Sequence, residues 1–113
     1  MEANQEEEDL LICGYIIRSD HVASLVLGKP SQRGLRYHGV LGVHMGNPEF
    51  VTIIKGDERE VHPFCIKPPG FQTERAVWLE PRLVCRVQFK SWGTRKGERW
   101  PTYLGLAAAY ESI

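Results

Sequence analysis

The clearest pattern in the sequence is an alternation of side chains over Leu83–Trp92, which reads LVCRVQFKSW. Apolar side chains occupy the odd positions from 83 to 89, whereas the even positions from 86 to 90 are polar, at Arg86, Gln88 and Lys90. A period of two is typical of a β-strand with one face packed on a core and the other face in solvent. The chain is therefore expected to build a sheet that is buried on one side.

Four further segments are rich in apolar and β-branched residues and also favour strands. Three come before the alternating segment (Leu10–Arg18, Val22–Gly28 and Leu35–Val43), and Arg99–Leu106 follows it after a turn. Glycines interrupt several of these segments. A glycine inside a strand often marks a bulge or a sharp bend, which small barrels need where their strands coil.

One short helix is predicted over Pro48–Lys55, after the third strand. Asn47 can cap its N-terminus, proline suits the first helical position, and Gly56 ends it. Residues 57–75 contain three prolines in an irregular polar stretch, where we expect a loop. This order of elements is the layout of an all-β, five-stranded OB-fold barrel with one short helix between strands 3 and 4.

Charge is unevenly distributed along the 113 residues, although the formal net charge is zero. Five of the first nine residues are acidic, so we expect a disordered acidic tail over residues 1–9 and one domain over residues 10–113. That domain carries 14 Lys and Arg against nine Asp and Glu. A basic body can attract a polyanion, although an ordinarily charged surface would have the same composition.

Several classes of function find no support in the sequence. No apolar run approaches the roughly 20 residues that a membrane span needs, and no signal pattern is present, so we expect a cytoplasmic monomer. The cysteines Cys13, Cys65 and Cys85 are far apart, and we expect reduced thiols. The histidines lack the spacing of metal ligands, and no nucleophile and base are arranged for catalysis. We therefore predict no metal site and no catalytic residue.

Two runs near the C-terminus combine tryptophan, proline and aliphatic residues at fixed spacing. The first run consists of Trp78, Pro81, Leu83, Val84, Val87, Phe89 and Trp92. The second consists of Arg99, Pro101, Tyr103, Leu104, Gly105 and Leu106. They resemble the W-x-x-P-x-L-V-x-x-V-x-F-x-x-W and R-x-P-x-F-L-G-L motifs in the C-terminal OB domain of ATP-dependent DNA ligases, especially the bacterial end-joining type. Shorter matches at Cys13–Tyr15, Leu25–Gly28 and Leu35–Gly39 extend the resemblance over most of residues 10–107.

The resemblance implies a domain that grips duplex DNA around a nick beside a nucleotidyltransferase domain. ATP and magnesium would belong to that partner domain, for which 113 residues leave no room, and no cofactor is expected in this chain. The family's sixth motif, R-x-D-K, would fall on Ala107–Tyr110, which reads AAAY. These residues lack the charged groups that a pyrophosphate leaving group needs, so we expect no support for enzyme adenylation.

A nucleic-acid-binding surface is the remaining prediction. Cations are expected to lie close together on the polar face of the alternating strand, in the turn after it and on the next strand. The third strand is expected to extend this cationic patch. The candidate residues are Arg36, Arg86, Gln88, Lys90, Arg95, Lys96 and Arg99. Such residues would contact phosphates without reading base sequence, although they could also be ordinary solvated positions of a barrel. The acidic tail could shield this face as a mimic of DNA.

The aromatic residues allow two interpretations. Trp78, Trp92, Trp100 and Tyr103 could stack on bases, but Trp78 and Trp92 are expected mainly to pack in the barrel. The leading hypothesis is a ligase-like OB domain that binds nicked duplex DNA nonspecifically. The alternatives are one half of a split ligase completed in trans, and a protein-interaction module that uses the barrel as a scaffold.

Overall fold

The computed structural model describes residues 4–91 and 99–107, and it gives the backbone alone for residues 4–6, 71–72, 90–91 and 99–100. The elements in this part of the chain are β1 Asn4–Ile17, β2 Val22–Ser31, β3 Gly34–His44, α1 Pro48–Ile54, β4 Glu58–Arg59, α2 Gly70–Thr73, β5 Val77–Leu79, β6 Val84–Ser91 and β7 Arg99–Leu106. Five long strands and a helix after the third of them confirm the predicted all-β OB-fold. The two short strands, β4 and β5, are additions to it.

Strand β1 organises the sheet because it pairs with three other strands along its length. Its first part, Asn4–Leu11, pairs with β6, and its second part, Leu11–Ile17, pairs with β2. Gly14 and Tyr15 also pair with β5. Strand β3 extends the sheet beyond β2, and β7 extends it beyond β6, with all pairs antiparallel. Strand β7 contacts β3, which brings the two ends of the sheet together, although no backbone ladder joins them within the described strands.

Two hydrophobic clusters cover the two faces of the sheet. Leu10 and Ile12 of β1 point into the first cluster, which lies inside the barrel. Leu11 and Cys13 point the other way into the second cluster, where Phe64 covers them from outside. Because residues 10–13 of β1 are buried on both faces of the sheet, their sequence is a continuous apolar run rather than an alternation of apolar and polar residues.

Helix α1 packs on the first cluster. The Asn47 side chain accepts a hydrogen bond from the Glu49 backbone N–H at 3.0 Å, and Pro48 stands at the start of the helix, as predicted. Phe50 and Ile53 are buried in the first cluster. The predicted helix Pro48–Lys55 is confirmed, with Lys55 as its C-cap.

The prediction of a disordered tail over residues 1–9 is wrong for residues 4–9, which form the start of β1. These residues pair with β6 from Asn4 opposite Ser91 to Asp9 opposite Arg86. Acidic residues disfavour strands, but backbone pairing of this segment with β6 overrides that weak preference. Residues 1–3 lie outside the described part, and one domain over residues 10–113 remains a prediction.

The expected loop over residues 57–75 contains two short elements, β4 and the single-turn helix α2. Strand β4 pairs with β5, and the Cys65 N–H donates to the Leu35 carbonyl at 2.8 Å, so the segment packs along the sheet. Phe64 and Trp78 meet edge to face with ring centres 5.9 Å apart. Trp78 packs against the second cluster, in line with the expectation of a packing role, whereas Trp92 lies outside the described residues.

Candidate functional site

Arg86 is the centre of the cationic patch predicted from the sequence. Its neighbours Cys85 and Val87 are buried in the first cluster, so Arg86 points to the outer face of β6. There it meets Asp9 of β1, with Arg86 Nε 3.0 Å from Asp9 Oδ1 and Arg86 Nη2 3.5 Å from Oδ2. The hydrogen bond with Asp9, followed by the charge of Asp9, raises the pKa of the Arg86 guanidinium. Arg86 is thus already paired with an anion.

Charged side chains of both signs surround Arg86. Glu7 is opposite Gln88 in the same pair of strands, and it lines a cleft together with Arg86 and residues 104–107. Two carboxylates, on Glu7 and Asp9, therefore lie on the face of the sheet where the sequence predicted cations. A phosphate approaching this face would meet their repulsion as well as the attraction of Arg86.

Two more predicted residues are close to this face along the backbone. Lys90 is opposite Trp100 and Ser91 is opposite Arg99 in the β6–β7 pair, so the expected adjacency of Lys90 and Arg99 is present in the strand register. Arg95 and Lys96 lie outside the described residues. The structure thus brings Arg86, Gln88 and the backbone positions of Lys90 and Arg99 together, next to the acidic start of β1.

Arg36 does not extend this patch, because it lies on the opposite face of the sheet. Its neighbours Leu35 and Tyr37 pack on the second cluster, so Arg36 points to the face that carries the first cluster. In the β2–β3 pair it is directly opposite Lys29. Arg36 therefore belongs to a second cationic surface, at the tip of the β2–β3 hairpin.

We call this second region the hairpin surface and define it by Lys29, Ser31, Arg33, Arg36 and His38. Two clefts meet there. One is lined by Ser31, Arg33 and Arg36 together with Gln32, Cys65 and Ile66, and has a volume of about 440 Å³. The other, about 300 Å³, is lined by Lys29, Pro30, Ser31, Arg36, Tyr37 and His38. Arg36 borders both clefts, so one guanidinium can serve ligands on either side.

A single carboxylate contacts the hairpin surface in the described part of the chain. Glu8 Oε1 is 3.6 Å from Lys29 Nζ, and Glu8 Oε2 is 3.3 Å from His38 Nε2. Glu8 Oε2 is shielded from solvent and has no well-aligned hydrogen bond. Its contact with His38 is therefore close enough for an ion pair but is not a hydrogen bond. The His38 ring also meets Phe89 edge-on, with ring centres 6.5 Å apart.

Sequence reasoning missed Lys29, Arg33 and His38. The stretch KPSQRG between the second and third predicted strands is rich in turn residues and predicts only a loop, and in the third strand Arg36 alone was a candidate. The available signal was the placement of Lys29, Arg33 and Arg36 on the first arm, the tip and the second arm of one predicted hairpin. Pairing of the two arms must bring these cations together.

Cysteine nucleophiles are excluded at two positions. Cys13 and Cys85 are fully buried, and burial raises the pKa of each thiol to about 12. In the described part of the chain, no three His, Cys, Asp or Glu side chains cluster in a way that could hold a metal ion.

Glu49 fixes the end of β7. Its carboxylate accepts hydrogen bonds from the Tyr103 hydroxyl and from the Leu106 N–H, both at 3.0 Å. Burial, followed by the hydrogen bond to Glu49, raises the pKa of the Tyr103 hydroxyl. Tyr103 is thus engaged within the barrel, and the chain is held in place up to Ala107, whose N–H donates to the Val84 carbonyl at 2.7 Å.

Comparison with known proteins gives a family match and a fold match. The family model for the ATP dependent DNA ligase C terminal region matches residues 18–108. The chain is 25% identical over 92 residues to the multifunctional non-homologous end joining protein LigD of Mycobacterium bovis and to the multifunctional non-homologous end joining DNA repair protein LigD of Mycobacterium tuberculosis. These matches cover 79% of this chain but only 12% of each relative.

Two solved structures have the same fold. The ligase domain of M. tuberculosis LigD superposes with a TM-score of 0.74 at 22% identity, covering 91% of this chain and 35% of that one. A mycobacterial DNA ligase D complexed with ATP and MES superposes with a TM-score of 0.69 at 23% identity, covering 90% and 34%. Within the described residues, no helix is long and apolar enough to cross a membrane.

Proposed function

Because this chain belongs to the family of ATP-dependent DNA ligase C-terminal regions, we propose that it binds duplex DNA nonspecifically, at or near a nick, in ligation and repair. The observation that carries the proposal is the family match over residues 18–108, which spans every strand from β2 to β7. Exposed cations on both faces of the barrel support it, since contacts to phosphates position a duplex without reading its sequence.

The chemistry of ligation belongs, in this proposal, to a nucleotidyltransferase domain that holds ATP and magnesium. The chain covers only about a third of the ligase-domain structure that it matches, so the remaining two thirds of such a domain would be supplied in cis or in trans. The segment Ala107–Tyr110 reads AAAY and has no charged group to orient a pyrophosphate. The chain would thus contribute DNA contacts and no adenylation chemistry.

A titration of labelled nicked, intact and single-stranded DNA at 50 and 200 mM salt tests the DNA-binding part. We expect binding to both duplexes, with an affinity that falls roughly tenfold or more over this salt range, because each phosphate contact releases counterions. No binding to any duplex, or an affinity that does not change with salt, would contradict the proposal.

Mixing the chain with a separately produced ligase nucleotidyltransferase domain tests which steps of ligation the chain supports. We expect sealing of a pre-adenylated nick to be faster with the chain than without it, and adenylation of the partner's lysine to be no faster. An increase in lysine adenylation on adding the chain would show that it does supply the first step.

A further inference from the structure

We propose that the hairpin surface, rather than the outer face of β6, holds the DNA backbone, with Arg36 placed between two successive phosphates. This assignment rests on the proposed function, and it names the site at which that function is carried out. Lys29 and Arg33 are the other two cations that would contact the phosphates.

The first argument is the availability of the charges. Arg33 and Arg36 are exposed, and in the described part of the chain their guanidinium groups have no ion-pair partner. Arg86 is held by Asp9 through two contacts, at 3.0 and 3.5 Å. A phosphate that binds Arg36 meets an uncompensated cation, whereas one that binds Arg86 meets a cation already neutralised by Asp9 and is repelled by that carboxylate.

The second argument is the shape of the surface. The clefts on the two sides of Arg36 have volumes of about 300 and 440 Å³ and are open to solvent. Each therefore leaves room for a phosphate group to approach the guanidinium. A planar guanidinium with five N–H donors can serve two phosphates at once, which suits a position shared by both clefts.

The third argument is rigidity. The Ser31 hydroxyl donates to the Gly34 carbonyl at 2.6 Å and accepts from the Arg33 N–H at 3.4 Å, so it fixes the turn of the hairpin. The bond from the Cys65 N–H to the Leu35 carbonyl braces the outer strand. Binding would therefore order side chains alone, which lowers its entropic cost.

The charge balance around the surface also favours a phosphate. In the described part of the chain, Glu8 is the carboxylate in contact with these cations, and it reaches Lys29 and His38 but neither Arg33 nor Arg36. A bound phosphate beside Lys29 would compete with Glu8, and the two arginines would remain available to it.

The test compares two sets of charge-removing variants in fluorescence anisotropy titrations with nicked duplex at several salt concentrations. The double variant Arg33→Gln/Arg36→Gln removes the two free cations, and the single variants Arg36→Gln and Arg86→Gln remove one cation each from the two opposite faces. For the double variant we expect the slope of log affinity against log salt to fall by about two and the affinity at 0.1 M salt to fall by roughly tenfold or more. For Arg86→Gln we expect a change below about twofold.

Thermal unfolding confirms that each variant is folded, which is expected because all three side chains are exposed. Arg36→Lys should retain most of the salt slope, since a lysine preserves the charge. If wild-type chain binds and Arg33→Gln/Arg36→Gln binds equally well, the assignment fails while the proposed function stands. A larger loss for Arg86→Gln would place the site on β6, and no binding by the wild-type chain would remove both proposals.

Discussion

Asp9 and Arg86, which are 77 residues apart in the sequence, form a two-contact ion pair between β1 and β6, with Arg86 Nε 3.0 Å from Asp9 Oδ1. The strand register produces the pair, because it places the two residues directly opposite each other. Both side chains are about half exposed, so the pair is a weak source of stability. Its main effect is electrostatic, since it neutralises the cation at the centre of the face that the sequence suggested for DNA.

A matched pair of substitutions on β1 compares the two faces. Glu8→Gln removes the carboxylate beside Lys29 and His38, whereas Asp9→Asn removes the carboxylate beside Arg86. We expect Glu8→Gln to tighten duplex binding by roughly threefold to tenfold in 0.1 M salt, and Asp9→Asn to tighten it less, because only the former relieves repulsion at the hairpin surface.

The measurement is the dissociation constant of each variant with the same nicked duplex. A larger gain for Asp9→Asn than for Glu8→Gln would contradict the account. Single substitutions test shielding by the acidic segment better than a deletion of residues 1–9 would, because a deletion would also remove the β1–β6 pairing of residues 4–9.

The Glu49 contacts predict a loss of stability without a change in DNA contacts. Glu49→Gln keeps one acceptor but turns an amide N–H₂ toward a donor, so one of the bonds to Tyr103 and Leu106 is lost. We expect the free energy of unfolding in urea to fall by about 1–3 kcal/mol. Tyr103→Phe removes the hydroxyl alone and should cost about 0.5–1.5 kcal/mol. Equal stability of Glu49→Gln and wild type would show that the carboxylate does not hold β7.

Close packing at Gly28 predicts a second stability effect, with a matched control on the neighbouring strand. A Cβ atom at Gly28 would lie 2.7 Å from Cys13 Sγ and 2.9 Å from Phe64 Cε1, whereas a Cβ at Gly42 would meet nothing within 4 Å. We expect Gly28→Ala to lower the free energy of unfolding by about 1–3 kcal/mol. Gly42→Ala should be neutral or slightly stabilising, since alanine restricts the unfolded chain. Similar losses in both variants would refute the packing argument.

The three thiols should differ in reactivity. Cys65 is exposed, whereas Cys13 and Cys85 are buried and burial raises the pKa of each to about 12. Because the thiolate is the reactive form, we expect one thiol to react rapidly with a disulfide reagent in the native protein at pH 8, and all three to react in denaturant. A Cys65→Ser variant should abolish the rapid phase. Rapid reaction of a second thiol in the native state would mean that the barrel opens.

The order of five apolar strand segments, with the capped helix after the third, was enough to predict the fold, because strand alternation and helix capping both depend on neighbours in sequence. The start of β1 and the strands β4 and β5 were missed, since each forms only by pairing with a distant segment. The ion pair that neutralises Arg86 could not be predicted from sequence for the same reason, because its partner Asp9 lies on a distant strand. The hairpin surface could have been inferred from its three cations, but sequence alone did not indicate which face Arg36 would share.

The most direct test of the central claim is an NMR titration of the ¹⁵N-labelled chain with nicked duplex at two salt concentrations. We predict that the largest backbone shifts fall on residues 29–38, that they follow one binding curve, and that they shrink at the higher salt concentration. Shifts confined to the outer face of β6 around Arg86, or no salt-dependent shifts at either surface, would contradict the account.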